Sequence, residues 1–491
     1  MKMNCNRLTA IGVLWMIAAS TFAQSPVVIR VGSTAQGKKI PADFVGESFE
    51  TASILMNHGG VKGYLFDSSD TQLITLFKNL GIKSLRIGGA SVDREEINPT
   101  RDDIDALFRF AKETDVNVIY SFRLLNGNPQ ENASTAKYIW SKYRPYLNSF
   151  AIGNEPDWHS FHMRDPEIFE ATPGVPGTAF PSYLAKWRRF AKAILDSVPE
   201  VKFSGPNSGS NFPVTGSKNT GLNDKSWTEN FIDSEKNSGI ISFFTQHNYV
   251  GQSTNGKTVN QVIGMMLSAE WDTVEYPAVY YASCAPALAA GYPFRLTESN
   301  SFSEGIDGAS NTFATALFAL DYLHWWSQRS AAGINFHTTQ WRFNGTIHPD
   351  ANDRLQINPM GYGMTAFSVG GRGTVIPISI SNPDSIDLTA YAVRDSAALF
   401  VTVINRSHGD SGRTATVIIT GPTGVTNAFV MTMTVPNGDV YAKSGMTLGG
   451  ESIENDKAWQ GNWTSFDSIK AGTIKCSVAP ASASIIKILL R

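Results

Sequence analysis

The feature that most constrains this chain is a regular alternation of short apolar runs with amphipathic helical runs between residues 42 and 366. The short runs are rich in β-branched and aromatic residues and end in polar residues: Phe44–Glu50, Ser84–Gly89, Val116–Phe122, Phe150–Glu155, Lys202–Asn207, Ile241–Asn248, Phe294–Glu298 and Gly333–His337. Helical patterns lie between them, for example at Thr71–Leu80, Ile104–Lys112, Tyr138–Tyr143, Tyr183–Leu195 and Asn311–Trp326. Such alternation predicts an α/β fold of the (β/α)8 TIM barrel type.

An open, doubly wound sheet is the alternative architecture for alternating strands and helices. It is disfavoured because no G-x-G-x-x-G motif follows the first strand and polar residues cluster at many strand ends.

Residues at the helix ends support the predicted helices. Asp102 and Asp103 stand in a predicted first turn, and Gly81 follows a helix where a capping glycine is expected.

The pattern changes after about residue 368, where only short strands separated by Gly, Pro, Asn and Asp remain. They are Val375–Ile380, Ala390–Arg394, Ala398–Val403, Ala415–Ile419, Ala428–Thr434 and Ser484–Leu490. Regularly spaced short strands predict a C-terminal β-sandwich. Val27–Val31 also reads as a strand, and we expect it to complete the sandwich because the barrel has no place for it. The predicted divisions are an N-terminal strand segment at 24–40, a barrel at 41–366 and a sandwich at 367–491.

The first 23 residues have the composition of a cleaved signal peptide. Lys2 and Arg7 give a positive start, Leu8–Ala19 is apolar, and Thr21 and Ala23 are the small residues that a signal peptidase reads. An apolar run this short cannot cross a bilayer core of about 30 Å. We therefore expect a secreted or periplasmic protein with no membrane partner after cleavage.

Charge and cysteine content exclude several classes of protein. The 41 basic and 43 acidic residues leave a net charge of −2, which provides no basic surface for nucleic acid. Three cysteines are too few for a disulfide scaffold, and no C-x-x-C motif is present. The sequence leaves undecided whether Cys284 and Cys476 form a disulfide.

Active sites of TIM barrels lie at the carboxyl ends of the strands. The polar residues predicted there are Glu50, Arg86, Asn154, Glu155, His247, Tyr249, Glu298 and His337. Glu155 and Glu298 end otherwise apolar runs, on the predicted fourth and seventh strands, which lie across the barrel mouth from each other. Two facing carboxyl groups are the requirement of glycoside hydrolysis, in which one protonates the leaving oxygen and the other attacks the anomeric carbon or activates water.

These motifs resemble those of clan A retaining glycoside hydrolases. Gly153-Asn154-Glu155-Pro156 and Thr297-Glu298 are similar to the acid/base and nucleophile motifs of that clan. Ser84 to Gly89, Gln246 to Tyr249, and Glu298 to Leu317 narrow the resemblance to family 79, the β-glucuronidase and heparanase-like enzymes. The resemblance covers the barrel and the sandwich.

The resemblance implies a secreted retaining β-glycosidase, a β-glucuronidase acting on terminal β-linked glucuronic acid of glycans or glycoconjugates. The resemblance also implies a role for each site residue. Glu155 would be the general acid and base and Glu298 the nucleophile. The remaining residues would bind substrate or support the site: Asn154 would bind the sugar 2-hydroxyl, Glu50 would bind other hydroxyls, Tyr249 would donate a hydrogen bond to Glu298, the Gly305 backbone would donate to the uronate carboxylate, and Arg86 and His247 would support the site. For Arg86 a structural ion pair, and for His247 a merely structural histidine, are the competing interpretations.

Three positions depart from the family pattern. Ser303, Trp341 and Phe343 stand where relatives carry tyrosine hydroxyls, so donors to a uronate carboxylate are missing. Arg164 and Lys218, in the long loops 159–181 and 208–226, are candidate replacements. Without them the pocket is expected to prefer a neutral sugar such as glucose or xylose.

Two other classes of function remain as alternatives. A metal-dependent barrel hydrolase needs clustered ligands, but His159 and His162 have no obvious third partner in the sequence. A non-catalytic carbohydrate-binding protein on the same scaffold has no use for both Glu155 and Glu298. The sequence thus predicts a carbohydrate substrate, no cofactor and no metal, and it leaves the oligomeric state open.

Overall fold

The computed structural model describes residues 24–32, 37–158, 165–168, 179–209, 225–338, 343–350, 354–396, 398–466, 469 and 472–491. After an N-terminal strand, β1 (Val27–Val31), eight parallel strands close into a barrel. They are β2 (Val45–Glu50), β3 (Ser84–Gly88), β4 (Asn117–Phe122), β5 (Leu147–Ile152), β6 (Phe203–Ser208), β7 (Ile241–Tyr249), β8 (Phe294–Asn300) and β9 (Gly333–His337). The predicted TIM barrel is confirmed, and all eight carboxyl ends face one rim.

Helices surround the barrel. In chain order they are α1 (Thr71–Leu80), α2 (Arg101–Thr114), α3 (Pro129–Tyr143), α4 (Phe180–Ser197), α5 (Trp227–Glu235), α6 (Val259–Met266), α7 (Tyr276–Val279), α8 (Ala285–Ala289), α9 (Phe313–Gln328) and α10 (Pro359–Gly370). Helix α1 begins where Asp70 accepts hydrogen bonds from the N–H groups of Gln72 and Leu73, and it ends at Gly81, whose φ of 71° is left-handed. The capping glycine is therefore confirmed.

The remaining strands form a hairpin and a sandwich. The hairpin is β10 (Ile347–Pro349) and β11 (Leu355–Ile357); the sandwich strands are β12 (Thr374–Ile376), β13 (Ile378–Ser381), β14 (Leu388–Asp395), β15 (Ala398–Asn405), β16 (Ala415–Thr420), β17 (Val425–Thr434), β18 (Thr447–Leu448), β19 (Thr464–Ser465), β20 (Ile474–Val478) and β21 (Ser482–Leu490). One sheet has the order β13-β1-β16-β20, and the other β12-β14-β15-β21-β17-β18, with β19 on β17. Strand β1 pairs with β13 and β16, so the expectation that it completes the sandwich is confirmed.

Several predicted elements differ from those in the structure. The single strand predicted at Val375–Ile380 is two strands, β12 and β13, which belong to different sheets. Pro377 separates them, because a proline has no N–H to continue a ladder. Helix α3 begins at Pro129, well before the predicted start at Tyr138. The sequence patterns also missed the hairpin and the strands β18, β19 and β20.

The structure also bears on the cysteine pairing and on the question of membrane spans. Cys284 and Cys476 are both free thiols, so they form no disulfide with each other. In the part of the chain that the structure describes, no helix combines the length and the apolarity needed to cross a membrane.

A buried charge cluster joins the barrel to the sandwich. Arg406 of the sandwich donates to Asp272, which follows α6, at 2.5 Å, and to Asp387 at 2.9 Å, and it lies 3.4 Å from Asp321 of α9. One guanidinium thus faces three carboxyl groups. Burial, together with the negative charge of Asp321, raises the pKa of Asp272 despite the opposing charge of Arg406.

Replacing Asp272 with asparagine is expected to stabilise the protein at neutral pH. A carboxyl group whose pKa is higher in the folded than in the unfolded state costs stability as the pH rises above the unfolded value of about 3.9. The D272N side chain avoids that cost and can still accept from Arg406. We expect a gain of at least about 1 kcal/mol at pH 7.5 and a flatter pH dependence between pH 5 and 8, measured by thermal unfolding.

Asp387 provides the matched control for this experiment, because its side chain is 38% exposed and contacts the same arginine. D387N should not show the stability gain expected of D272N, because a partly exposed carboxyl group stays hydrated in the folded state. If D272N instead lowers the unfolding temperature and the pH slope stays as in the wild type, Asp272 is an ionised partner of Arg406 and the prediction is wrong.

Candidate active site

Two glutamates meet at the carboxyl-terminal rim of the barrel. Glu155 follows β5, the fourth barrel strand, and Glu298 lies in β8, the seventh. A carboxylate oxygen of each and a ring nitrogen of His247 all lie within 4.8 Å of one another. The Glu298 side chain is 8% exposed and that of Glu155 is 28% exposed, so Glu155 is the more accessible of the two.

Glu298 is surrounded by groups that stabilise its negative charge. Arg86 donates from Nη1 to Oε2 at 2.5 Å, and the Tyr249 hydroxyl donates to Oε1 at 2.6 Å. His337 Nδ1 lies 3.9 Å from Oε2. Burial by itself raises the pKa of Glu298, but the positive charges of the surrounding groups and the Tyr249 hydrogen bond hold it well below its ordinary range. Glu298 is therefore an ionised carboxylate at neutral pH.

Glu155 has the opposite electrostatic surroundings. Burial and the negative charge of Glu298 raise its pKa, while the contact with His247 opposes the rise. The two glutamates thus have pKa values displaced in opposite directions, which allows one to be protonated while the other is ionised.

The backbone around Glu155 holds it in an uncommon conformation. Its φ is +46°, and Gly153, two residues earlier, has a φ of +80°. The Glu155 N–H donates to the carbonyl of Asn207 at 2.9 Å, which fixes the turn to β6. A Cβ at Gly209 would come within 2.6 Å of the Glu155 carboxyl carbon. Only glycine at position 209 leaves room for the Glu155 side chain as it lies.

Asn154 and Arg86 are joined beside the two glutamates. Arg86 is fully buried and donates from Nη2 to Asn154 Oδ1 at 2.7 Å. The Asn154 backbone N–H donates to Asp93 at 3.1 Å, and Asp93 also accepts from the N–H groups of Leu124 and Leu125. Asp93 therefore connects the loops after β3, β4 and β5. The structure brings Asn154, Arg86 and Tyr249 together with both glutamates.

Glu50 lies at the end of β2, also on this rim. Its Oε2 accepts from the N–H of Ser91 at 2.8 Å, and its Oε1 lies 3.5 Å from His337 Nε2. Burial opposes ionisation, but the contacts with His337 and Ser91 lower the pKa of Glu50 to about 2. By contrast, Glu47 on the same strand is bonded to Thr346, and burial raises its pKa to about 8.

Gly305 lies on the loop after β8 and packs against the loop after β9. A Cβ there would come within 2.8 Å of the Asn344 nitrogen and 3.1 Å of the Phe343 Cβ. Phe343 is 44% exposed, and the Ser303 hydroxyl donates to the carbonyl of Gln252 at 3.0 Å. The other predicted positions in this region, Arg164, Lys218, Trp341, His159 and His162, lie outside the described residues.

Comparison with known proteins identifies relatives for part of the chain. No protein-family model matches it. A β-glucuronidase of Aspergillus niger is 28% identical over 211 residues, which is 41% of this chain and 37% of the relative. A β-glucuronidase of Neurospora crassa is 27% identical over 217 residues, 43% of this chain and 37% of the relative. The chain thus matches little more than a third of the length of each curated relative. The predicted resemblance to β-glucuronidases is confirmed, whereas membership of family 79 stays a prediction.

Solved structures share the fold over nearly the whole chain. A 4-O-α-L-rhamnosyl-β-D-glucuronidase from Fusarium oxysporum 12S superposes with a TM-score of 0.68 and 17% identity, covering 94% of this chain and 99% of that one. A GH51 arabinofuranosidase from Xanthomonas axonopodis pv. citri gives a TM-score of 0.66 at 13% identity, covering 94% and 99%. At these identities the likeness is one of fold.

Sequence reasoning missed part of this site. His337 was among the predicted strand-end residues but received no role, although it lies between Glu50 and Glu298. Asp93 and Asn207 were not predicted at all. Asp93 carried no signal, because it follows β3 in a 3-10 turn rather than ending a strand. Asn207 did end a predicted strand, so its position was a usable signal.

The carboxylate oxygens of Glu155 and Glu298 and a ring nitrogen of His247 also have the spacing of the ligand atoms of a metal site. Arg86 already bonds Glu298, so a cation there would lie against a guanidinium. The donor set therefore fits proton chemistry better than metal binding.

Proposed function

We propose that this protein is a retaining β-glycosidase that removes terminal β-linked glucuronic acid. The observation that carries the proposal is the pair of close carboxyl groups with oppositely shifted pKa values. Retaining glycosidases hold their carboxyl groups about 5–5.5 Å apart, and inverting ones about 6.5–9.5 Å. One carboxylate oxygen of each glutamate lies within 4.8 Å of the other, and this short separation supports the retaining rather than the inverting mechanism. The β-glucuronidase relatives support the choice of substrate.

In the proposed mechanism Glu298 attacks the anomeric carbon while Glu155 protonates the leaving oxygen. Arg86 and Tyr249 keep Glu298 ionised until it forms the glycosyl ester. Once the ester forms, Glu298 has lost its charge and the pKa of Glu155 falls, so Glu155 can accept a proton from water in the second step. Asn154, held by Arg86 through its carbonyl, is placed to donate its amide N–H to the sugar 2-hydroxyl.

The stereochemical course tests the mechanism directly. We expect the first product seen by proton NMR to be the β-anomer of the released sugar, with the α-anomer growing only as the product mutarotates. An α-anomer formed first would replace the retaining mechanism with an inverting one.

The pH dependence of kcat/KM is expected to be bell-shaped. Activity needs Glu298 ionised and Glu155 protonated, so it falls at acid pH as Glu298 gains a proton and at alkaline pH as Glu155 loses one. Because the pKa of Glu298 is lowered and that of Glu155 is raised, the active range should be broad. Initial rates across the pH range check this, and a profile that keeps rising through alkaline pH would contradict the assignment of Glu155.

A neutral glycone is the second candidate, favoured by the surroundings of Gly305. The Ser303 hydroxyl already donates to Gln252, and Phe343 offers no hydroxyl, so neither replaces the tyrosine donors that a uronate carboxylate needs. A buried carboxylate without partners costs several kcal/mol. Comparing kcat/KM for nitrophenyl β-glucuronide and β-glucoside decides between them. We expect the glucuronide to be preferred; a tenfold preference for the glucoside, about 1.4 kcal/mol, would overturn the glucuronate assignment alone.

We also propose that residues 1–23 are removed during export. Sequencing the N-terminus of protein collected from the periplasm or medium tests this, with a start at Gln24 expected. An uncleaved chain retained in the cytoplasm would contradict it.

A further inference from the structure

His247 of β7 has an asymmetric set of contacts. Its side chain is fully buried, and its Nδ1 lies 3.0 Å from Glu155 Oε1 and 3.8 Å from Glu298 Oε2. The other ring nitrogen, Nε2, is also buried and has no hydrogen-bond partner among the residues that the structure describes. One nitrogen therefore lies close to both glutamates, while the other makes no hydrogen bond within the described part of the chain.

This asymmetry favours one position for the ring hydrogen. A buried N–H without an acceptor is rare and costly, whereas an unpaired lone pair is tolerated better. A neutral His247 with its hydrogen on Nδ1 leaves only a lone pair on Nε2. The opposite tautomer would leave an unpaired N–H on Nε2 and turn a lone pair toward two carboxylate oxygens. Nδ1 carries a hydrogen in the favoured neutral form and in the protonated ring alike.

The position of that hydrogen limits where Glu155 can hold its own proton. Nδ1 lies 3.0 Å from Oε1. With the ring hydrogen on Nδ1, Oε1 is the acceptor, so the carboxylic acid proton belongs on Oε2. Oε2 makes no hydrogen bond with a described residue, and the Glu155 side chain keeps 28% exposure. We propose that His247 is a positioning residue that confines the acid proton of Glu155 to Oε2, the oxygen left for the substrate. This inference rests on the proposed function, in which Glu155 is the proton donor.

The proton balance of the first step follows from this arrangement. The Oε2 proton passes to the glycosidic oxygen as the bond from the anomeric carbon to that oxygen breaks and Glu298 bonds to the anomeric carbon. Glu155 is then a carboxylate, and Nδ1–H continues to donate to Oε1. With the hydrogen on Nε2 instead, the Glu155 proton would point from Oε1 toward Nδ1, away from the leaving oxygen.

Two variants of similar shape separate positioning from packing. In His247→Asn the amide nitrogen takes nearly the place of Nδ1 and can donate to Oε1, whereas His247→Leu has the same branched shape and no donor. Two substrates are compared. Phenyl β-glucuronide has a phenol leaving group that needs a proton to depart, whereas 2,4-dinitrophenyl β-glucuronide has a dinitrophenolate leaving group that departs without one. Circular dichroism and thermal unfolding check that both variants fold.

We expect His247→Leu to lower kcat for the phenyl substrate by about 100-fold and for the dinitrophenyl substrate by less than about fivefold, with KM little changed. His247→Asn should stay within about fivefold of the wild type on both substrates. Equal losses in the two variants, or equal losses on the two substrates, would show a structural role and overturn the inference. If the wild type hydrolyses neither substrate, nor the corresponding glucosides, it is the proposed function that fails.

Discussion

Glu298→Ala is expected to lower kcat/KM for an aryl β-glucuronide by about 10⁴-fold or more, equivalent to about 5 kcal/mol of transition-state stabilisation. The variant keeps Glu155 as a proton donor, and it keeps Arg86 and Tyr249, so the site retains its positive charge. No carboxylate remains, however, to attack the anomeric carbon. Azide should enter the space left by the missing carboxylate and restore part of the rate. Because azide attacks from the side of Glu298, the product should be the α-glycosyl azide.

Glu47 supplies the control for this experiment, since it is a buried glutamate of the same barrel that bonds Thr346 rather than the residues of the site. Its pKa is raised to about 8 by burial, so Glu47→Gln replaces a mostly neutral group with another neutral group and should leave kcat/KM within a few-fold of the wild type. An E298A variant that keeps more than about one per cent of the activity would remove Glu298 from the role of nucleophile.

The barrel and its two glutamates could be predicted because they depend on local patterns. Each barrel strand is an apolar run that becomes polar at its carboxyl end, and parallel strands bring those ends to one rim. Glu155 and Glu298 were found because each interrupts such a run. The sandwich was predicted from strand spacing, and Pro377 was an available but unused signal that one predicted strand is divided between two sheets.

The rest of the site depends on side-chain contacts between strands that are distant in sequence. His337 was only one of several strand-end polar residues, and its contacts with Glu50 and Glu298 follow from the side-chain directions on β2, β8 and β9. The left-handed backbone of Glu155 has no sequence signal, since glutamate seldom adopts positive φ. Asp93 accepts hydrogen bonds from three backbone N–H groups in two loops, and these loops come together only when the barrel has closed.

Glu155→Ala is expected to give a loss that depends on the leaving group. For phenyl β-glucuronide we expect kcat/KM to fall by about 10³- to 10⁴-fold, near the upper range of general acid catalysis, because phenolate leaves poorly without a proton. For the 2,4-dinitrophenyl substrate formation of the glycosyl-enzyme should be nearly unaffected, so the ester on Glu298 accumulates and a burst of dinitrophenolate precedes slow turnover. The burst amplitude should equal the enzyme concentration.

Azide separates the two glutamates by stereochemistry as well as by rate. In Glu155→Ala it should attack the ester on Glu298 from the face that water normally uses and release the β-glycosyl azide, the opposite anomer to that expected from Glu298→Ala. NMR of the two azide products therefore assigns each carboxyl group to its own face of the sugar ring. The same anomer from both variants, or an equal loss of rate on the two substrates in Glu155→Ala, would be incompatible with a proton donor at Glu155 and a nucleophile at Glu298.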